Sequence, residues 1–230
     1  MSTRPNLHIV PVGTSILTNY GPQSRKLPSV RELLAFVKKD PRKHSAELNA
    51  TLHFFIGANP KDYSVHLINS DTDQGRRCAD VIAKFLQELG CHVTRGQLSD
   101  DIALEQVFAD LFSAVHRVAK KSRSKGQSVL VNCTGGFKGM VIAAALAARS
   151  LELPAYYSFA NMAQPIFLPT GGLTPVQRDQ LLRLKDGTKL PTQKIQSLEY
   201  AGLVHCQRRA DGEISTVKLT PYAKVSIKKA

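Results

Sequence analysis

Three short apolar segments, LHIVPVG (Leu7 to Gly13), YSVHLINS (Tyr63 to Ser70) and QSVLVNCTGG (Gln127 to Gly136), each run into a turn of small, hydroxyl-bearing or glycine residues. A stretch with helical spacing follows each of them further along the chain. An apolar run of this length bounded by turn residues suits a strand buried on both faces, the habit of parallel sheets between helix layers. VRELLAFVKK is predicted helical, with Pro28 and Ser29 as its start, and so is the stretch from Ala46 to Phe55. CADVIAKFLQELG is a third helix with Gly90 as its C-terminal stop. CHVTRGQL reads as a further strand, IALEQVFADLFSAVHRVAKK as a long amphipathic helix, and PAYYSFAN and QPIFLP as closing strands. MVIAAALAARSLE is apolar on nearly every face and is expected to be well buried. Strands alternating with helices in this way imply an α/β fold with a doubly wound, mostly parallel sheet.

That Rossmann-like unit is expected to span residues 1–170. TGGLTP (Thr170 to Pro175) marks a boundary, and the pattern changes over residues 171–230. VQRDQLLRLKDG and TQKIQSLEYAGLV read as helices, followed by two β-like stretches around Ala210 to Gly212. This order resembles a winged helix-turn-helix, in which the second helix would read a DNA groove. Arg208, Arg209 and Lys218 would then sit on the wing, and Lys224 to Lys229 add positive charge at the tail.

With 43% apolar residues in 230, the chain can bury a core of ordinary size. No run approaches the roughly 20 apolar residues of a membrane span, and the N-terminal segment lacks the layout of a secretory signal. A cytoplasmic location without membrane attachment is the expectation. Cys78, Cys91, Cys133 and Cys206 are too scattered for a zinc site or a disulfide framework, and no metal or other cofactor is expected. The formal charge of +13 favours polyanionic partners, from duplex nucleic acid to a small phosphodiester, without separating these from a lysine-rich surface.

In an open α/β sheet, ligands bind beyond the carboxyl ends of the strands. GTSILTN, SDTDQG and NCTGGFKG fall there together. Gly13, Gly135 and Gly136 would let the backbone approach a ligand, and hydroxyls of Thr14, Ser15, Ser70, Thr72 and Thr134 would meet phosphate or ribose oxygens. Lys138 supplies a cation. Known nucleotide loops do not match: TGGFKG has neither the glycine spacing nor the following hydroxyl of a P-loop. No G-x-G-x-x-G follows the first strand, and SDTDQG lacks the later ligands of a calcium loop. Arg76 and Arg77 are candidates for steering an anion, whereas His8 and His66 sit in strand patterns as expected core residues.

VGTSILTN, INSDTDQG and NCTGGFKG together resemble the CARF (CRISPR-associated Rossmann-fold) family, most closely its stand-alone ring nucleases of type III CRISPR systems. The resemblance covers roughly Leu7 to Pro169. It implies a homodimer that binds a cyclic oligoadenylate, commonly cyclic tetra-adenylate, across its two-fold axis. It further implies cleavage without metal, a ribose 2′-hydroxyl attacking its own phosphate to leave a cyclic phosphate end. On this resemblance Lys138 would stabilise the developing negative charge, and Ser15 would orient the nucleophile or the scissile phosphate. Gly135, Gly136 and Phe137 would lie along the ring, and Asp71, Thr72 and Gln74 would recognise adenine or ribose. An effector RNase of the HEPN type would need an arginine followed four to six residues later by histidine, and the C-terminal region has no such pair. The other reading is a ligand-controlled transcription regulator that shares the pocket and leaves the ring intact.

Overall fold

The computed structural model of the protein describes residues 6–21, 27–99, 104–159, 164–169, 173–209 and 211–228. The apolar runs form a six-stranded sheet: β1 (Asn6–Val12), β2 (Tyr63–Asn69), β3 (His92–Gln97), β4 (Val129–Asn132), β5 (Ala155–Tyr157) and β6 (Ile166–Leu168). The spatial order is β3-β2-β1-β4-β5-β6, with every neighbouring pair parallel except β5 and β6. β1 is buried over Leu7–Val12 and β4 throughout, as central strands covered on both faces must be. β3, at the edge, is exposed at four of its six positions.

Helices cover the two faces as separate apolar layers. On one side lie α1 (Ser15–Tyr20), α2 (Val30–Lys39) and α5 (Asp73–Glu88), packing Ile16, Leu33, Val37, Ile82 and Leu86 onto β1 and β2. Ser29 closes a capping box with Glu32 at the start of α2. Gly90, in the left-handed conformation at φ 96°, follows the end of α5. On the other side lie α6 (Leu104–Ser124) and α7 (Lys138–Ser150). Between α2 and β2 the chain forms α3 (Pro41–His44), α4 (Ala46–Thr51) and a 3-10 turn over Leu52–Phe55. Five consecutive residues of α4, Glu47 to Thr51, are buried.

One expectation fails on α7. The helix buries Met140, Ala143, Ala144, Ala147 and Ala148, while Ile142 and Leu146 are 54% and 43% exposed. Small alanines let α7 sit close to its neighbours and turn the larger side chains outward, so an all-apolar sequence is here half a surface.

The C-terminal elements are α8 (Pro175–Lys185), α9 (Thr192–Tyr200), a hairpin of β7 (Val204–Arg208) and β8 (Ile214–Leu219), and α10 (Pro221–Lys228). They share an apolar core of Leu181, Leu190, Leu198, Leu203, Val204, Cys206 and Ala223. This unit packs on β6 through Phe167 and Tyr200, ring centroids 4.9 Å apart. The expected boundary at 170/171, Ala210 and Lys229 lie outside the described residues. All four cysteines are buried free thiols. Among the described residues no helix is long and apolar enough to cross a membrane.

Candidate functional site

The strand order reverses between β1 and β4, and the chain leaves these two strands toward opposite faces, into α1 and α7. Such a point opens a crevice at the carboxyl edge. Parallel register, Ile9 opposite Val131, carries the turns after β1 and β4 out at the same level. They touch at glycine. A Cβ on Gly13 would stand 2.7 Å from the backbone nitrogen of Gly136, and Gly136 itself has φ 95°. A Cβ on Gly135 would stand 2.6 Å from the Pro11 carbonyl oxygen and 2.5 Å from Oε1 of Glu47. Both glycines are there for close approach of backbone to backbone and to a buried carboxylate. β2 pairs with β1 to the end, Val12 opposite Asn69, so Ser70 follows at the same edge.

Of the expected residues, Thr14, Thr72, Gln74, Phe137 and Lys138 are exposed on this edge, and Ser15, Ser70, Asp71 and Thr134 are half-buried. Ser15 and Lys138 each stand two residues beyond the Gly13–Gly136 contact, at the first positions of α1 and α7, so they begin together and diverge. Among the described residues no carboxylate pairs with Lys138. Thr134 accepts from the Ser158 N–H at 3.0 Å, tying this turn to the end of β5. Ser70 and Thr72 hydroxyls lie 3.0 Å apart, and Thr72 caps α5 by accepting from Gly75 N–H at 3.0 Å. Arg76 is ion-paired with Asp71 and Asp73, and Arg77 donates to the carbonyls of Leu27 and Pro28. The protein itself engages both arginines and the Asp71 carboxylate.

The sequence alone gave no sign of Glu47. This carboxylate is 1% exposed and accepts three hydrogen bonds. Gly13 N–H donates to Oε1 at 2.8 Å, and the hydroxyls of Ser15 and Ser45 donate to Oε2 at 2.7 and 2.9 Å. Ser15 Oγ also accepts from Ala46 N–H at 3.2 Å. Asn132, at the end of β4, donates to the Glu47 carbonyl and to Thr51 Oγ1 while accepting from Thr134 N–H. Asn49 reaches the Ser158 hydroxyl and the Phe159 carbonyl. α4 therefore underlies the whole edge as a buried polar brace, with its bonds satisfied.

Two clefts lie apart from these turns, one of about 780 Å³ between β3 and α6 and one of about 960 Å³ between the 3-10 turn after α4 and the C-terminal hairpin. None of the three turns lines either. At the C-terminal hairpin, Arg208 forms a two-pronged ion pair with the buried Glu199, its Nη1 2.9 Å from Oε1. Arg209 and Lys218 are exposed. Among the described residues no cluster of His, Cys, Asp and Glu side chains is arranged to hold a metal ion.

The family model for "CRISPR-associated protein (Cas_APE2256)" matches residues 42–171. No curated protein matches in sequence. Among solved structures, Csm6 of Enterococcus italicus bound to cyclic hexa-2′-fluoro-hexa-dAMP is similar at 13% identity and a TM-score of 0.45, over 84% of this chain and 45% of that one. Can2 from Sulfobacillus thermosulfidooxidans in complex with cyclic tetra-adenylate is similar at 13% identity and a TM-score of 0.45, over 97% and 62%. VC1899 from Vibrio cholerae is similar at 10% identity and a TM-score of 0.42, over 96% and 63%. The chain thus spans from under half to under two thirds of the length of these neighbours. The family match takes in the brace, the second and third turns and the five strands from β2 to β6, more than half of the sequence, and by it the chain belongs to the CRISPR-associated protein (Cas_APE2256) family.

Proposed function

We propose that the protein is a cytoplasmic homodimer that binds cyclic tetra-adenylate and cleaves it without metal to linear di-adenylate ending in a 2′,3′-cyclic phosphate, switching off type III CRISPR signalling. The observation that carries this reading is the Gly13–Gly136 contact, which gathers two hydroxyl- and glycine-rich turns at the reversal of strand order. A two-fold dimer presents two copies of the edge, matching a ring of four equal phosphates. Phe137, Ile142, Leu146 and Phe159, each more than 40% exposed, flank the third turn as an apolar margin for the second copy.

In this reaction the attacking 2′-hydroxyl belongs to the ligand, so the protein's task is to hold it in line and stabilise charge on the phosphate oxygens. Lys138, exposed at the first turn of α7, takes the second role. Ser15 orients the nucleophile or the scissile phosphate. Gly13, Thr14, Thr134, Gly135, Gly136 and Phe137 border the ring, with Ser70, Asp71, Thr72 and Gln74 at its rim.

The test is incubation with cyclic tetra-adenylate in excess chelator, followed by chromatography. Di-adenylate with a cyclic phosphate end is expected, and Lys138→Ala should slow its formation by about 10²–10³-fold while weakening binding far less. Equal loss of affinity and turnover would make Lys138 a binding residue only. No binding of any ring size would overturn the reading.

A second reading rests on the C-terminal order of helix, helix, hairpin and helix. It is a winged-helix regulator that binds DNA under control of an uncleaved ring. Intact ligand recovered from a tight complex would favour it, with exposed Lys218 and Arg209, the latter only loosely paired with Glu213 at 3.9 Å, rather than Arg208 placed to meet phosphate.

A further inference from the structure

The Ser15 hydroxyl has one proton and two lone pairs, and two of these three are already used. Its proton goes to Glu47 Oε2 at 2.7 Å, and one lone pair takes the Ala46 N–H at 3.2 Å. What remains is a single lone pair on a half-buried side chain at the ligand edge. Ser15 can accept one further hydrogen bond and can donate none. Glu47 holds this polarity. Its two oxygens already accept from Gly13 N–H and the Ser45 hydroxyl, so it offers Ser15 an acceptor and nothing else.

We propose that Glu47 is the positioning residue that makes Ser15 an obligate acceptor, so that the site reads a ribose 2′-hydroxyl and discriminates against rings lacking one. This rests on the reading of the turns as a cyclic oligoadenylate site and goes beyond it. A phosphate oxygen brings only lone pairs and finds no proton on Ser15. A 2′-hydroxyl brings a proton and finds the open lone pair. Of the two partners open to Ser15, nucleophile or scissile phosphate, the hydrogen-bond inventory selects the nucleophile. A 2′-hydroxyl donating to Ser15 has its own lone pairs turned outward, the orientation attack on phosphorus requires.

Glu47→Gln keeps the shape that packs against Gly135 and reverses the polarity. With its carbonyl oxygen on Gly13 N–H, its amide would donate to Ser15, fill the remaining lone pair and turn the serine proton toward the ligand.

The experiment is calorimetric titration of cyclic tetra-adenylate and its 2′-deoxy counterpart, cyclic tetra-deoxyadenylate, into the protein carrying Lys138→Ala, so that the ribose ring is not cut during the titration, with positions 15 and 47 either unaltered or bearing Glu47→Gln or Ser15→Ala. With both positions unaltered, the protein should prefer the ribose ring. Both variants should shrink that preference by about 10–100-fold, the worth of one hydrogen bond from each of the two protomers that share a ring, while retaining affinity for the deoxy ring, which also shows that they are folded. Equal affinity for both rings with both positions unaltered would overturn the proposal. So would variants that bind both rings more weakly in the same ratio, since Glu47 would then only support the fold. Failure of the unaltered protein to bind either ring would instead remove the cyclic oligoadenylate reading itself, and the inference with it.

Discussion

At Gly135 a hydrogen occupies the place where any other residue would carry a carbon, 2.5 Å from a carboxylate oxygen and 2.6 Å from a backbone carbonyl. Neither neighbour can yield cheaply, because Pro11 belongs to a central strand and Glu47 is held by three donors. Gly135→Ala should therefore destabilise the fold by about 1–3 kcal/mol, read as a lower midpoint of urea unfolding at unchanged slope. An unshifted midpoint would mean that the turn has room the geometry denies. Gly13, Gly135 and Gly136 were legible in the sequence because glycine after an apolar run announces a sharp turn. Their partner was not. Glu47 lies 32 residues from Ser15 and 34 from Gly13, and it looks like one more polar position of a helical stretch until the fold lays α4 beneath the edge.

Among the elements, α7 separates pattern from packing. Its sequence is almost wholly apolar, and burial all round is what its hydropathy predicts. Side-chain size decides otherwise, since Ala143, Ala144, Ala147 and Ala148 face α6 and the sheet and leave Ile142 and Leu146, one helical turn apart, exposed on the helix that Phe137 begins. An exposed apolar stripe next to the ligand turns fits a second copy of the chain in the proposed dimer. Replacing Ile142 and Leu146 together by glutamate should yield a monomer in sedimentation velocity and lower cyclic tetra-adenylate affinity by at least about tenfold. A monomeric unaltered protein that still binds the ring tightly would refute the dimer. The C-terminal hairpin gives a similar lesson. Arg208 reads from sequence as a wing cation, yet the buried Glu199 on α9, nine residues earlier, holds it in a half-buried pair.

For the whole molecule, pH dependence of stability should trace to the centre of the sheet. His8, on β1, is fully buried, with Nδ1 2.8 Å from the Tyr156 hydroxyl on β5 and Phe54 against its ring. Burial pulls its pKa from the ordinary 6.5 down to about 3. Between those values the unfolded chain takes up a proton that the folded protein refuses, so stability falls as pH drops below 6.5. One such group contributes up to about 1.4 kcal/mol per pH unit. His53, lowered to about 4 by burial and by Arg42, acts in the same direction with a smaller share because it is only half-buried. Thermal unfolding between pH 7 and 5 should show this decline, and His8→Gln, neutral throughout, should make it shallower, His53 keeping part of it. An unchanged slope in His8→Gln would place the dependence elsewhere.

The chain by itself determined the fold class and the candidate edge, for reasons that are local. Apolar runs without alternation specify strands covered on both faces, Ser29 and Gly90 punctuate helices, and turns of glycine and hydroxyl residues mark the carboxyl ends. Only the tertiary structure decided what those residues touch. Strand order brings Gly13 against Gly136 across more than half the chain, α4 slides Glu47 under Ser15, and alanine packing turns an apolar helix face to the surface. Periodicity and turn chemistry act over a few residues and can be read along a line, whereas a hydrogen-bond partner or a bare helix face exists only once distant segments occupy the same space.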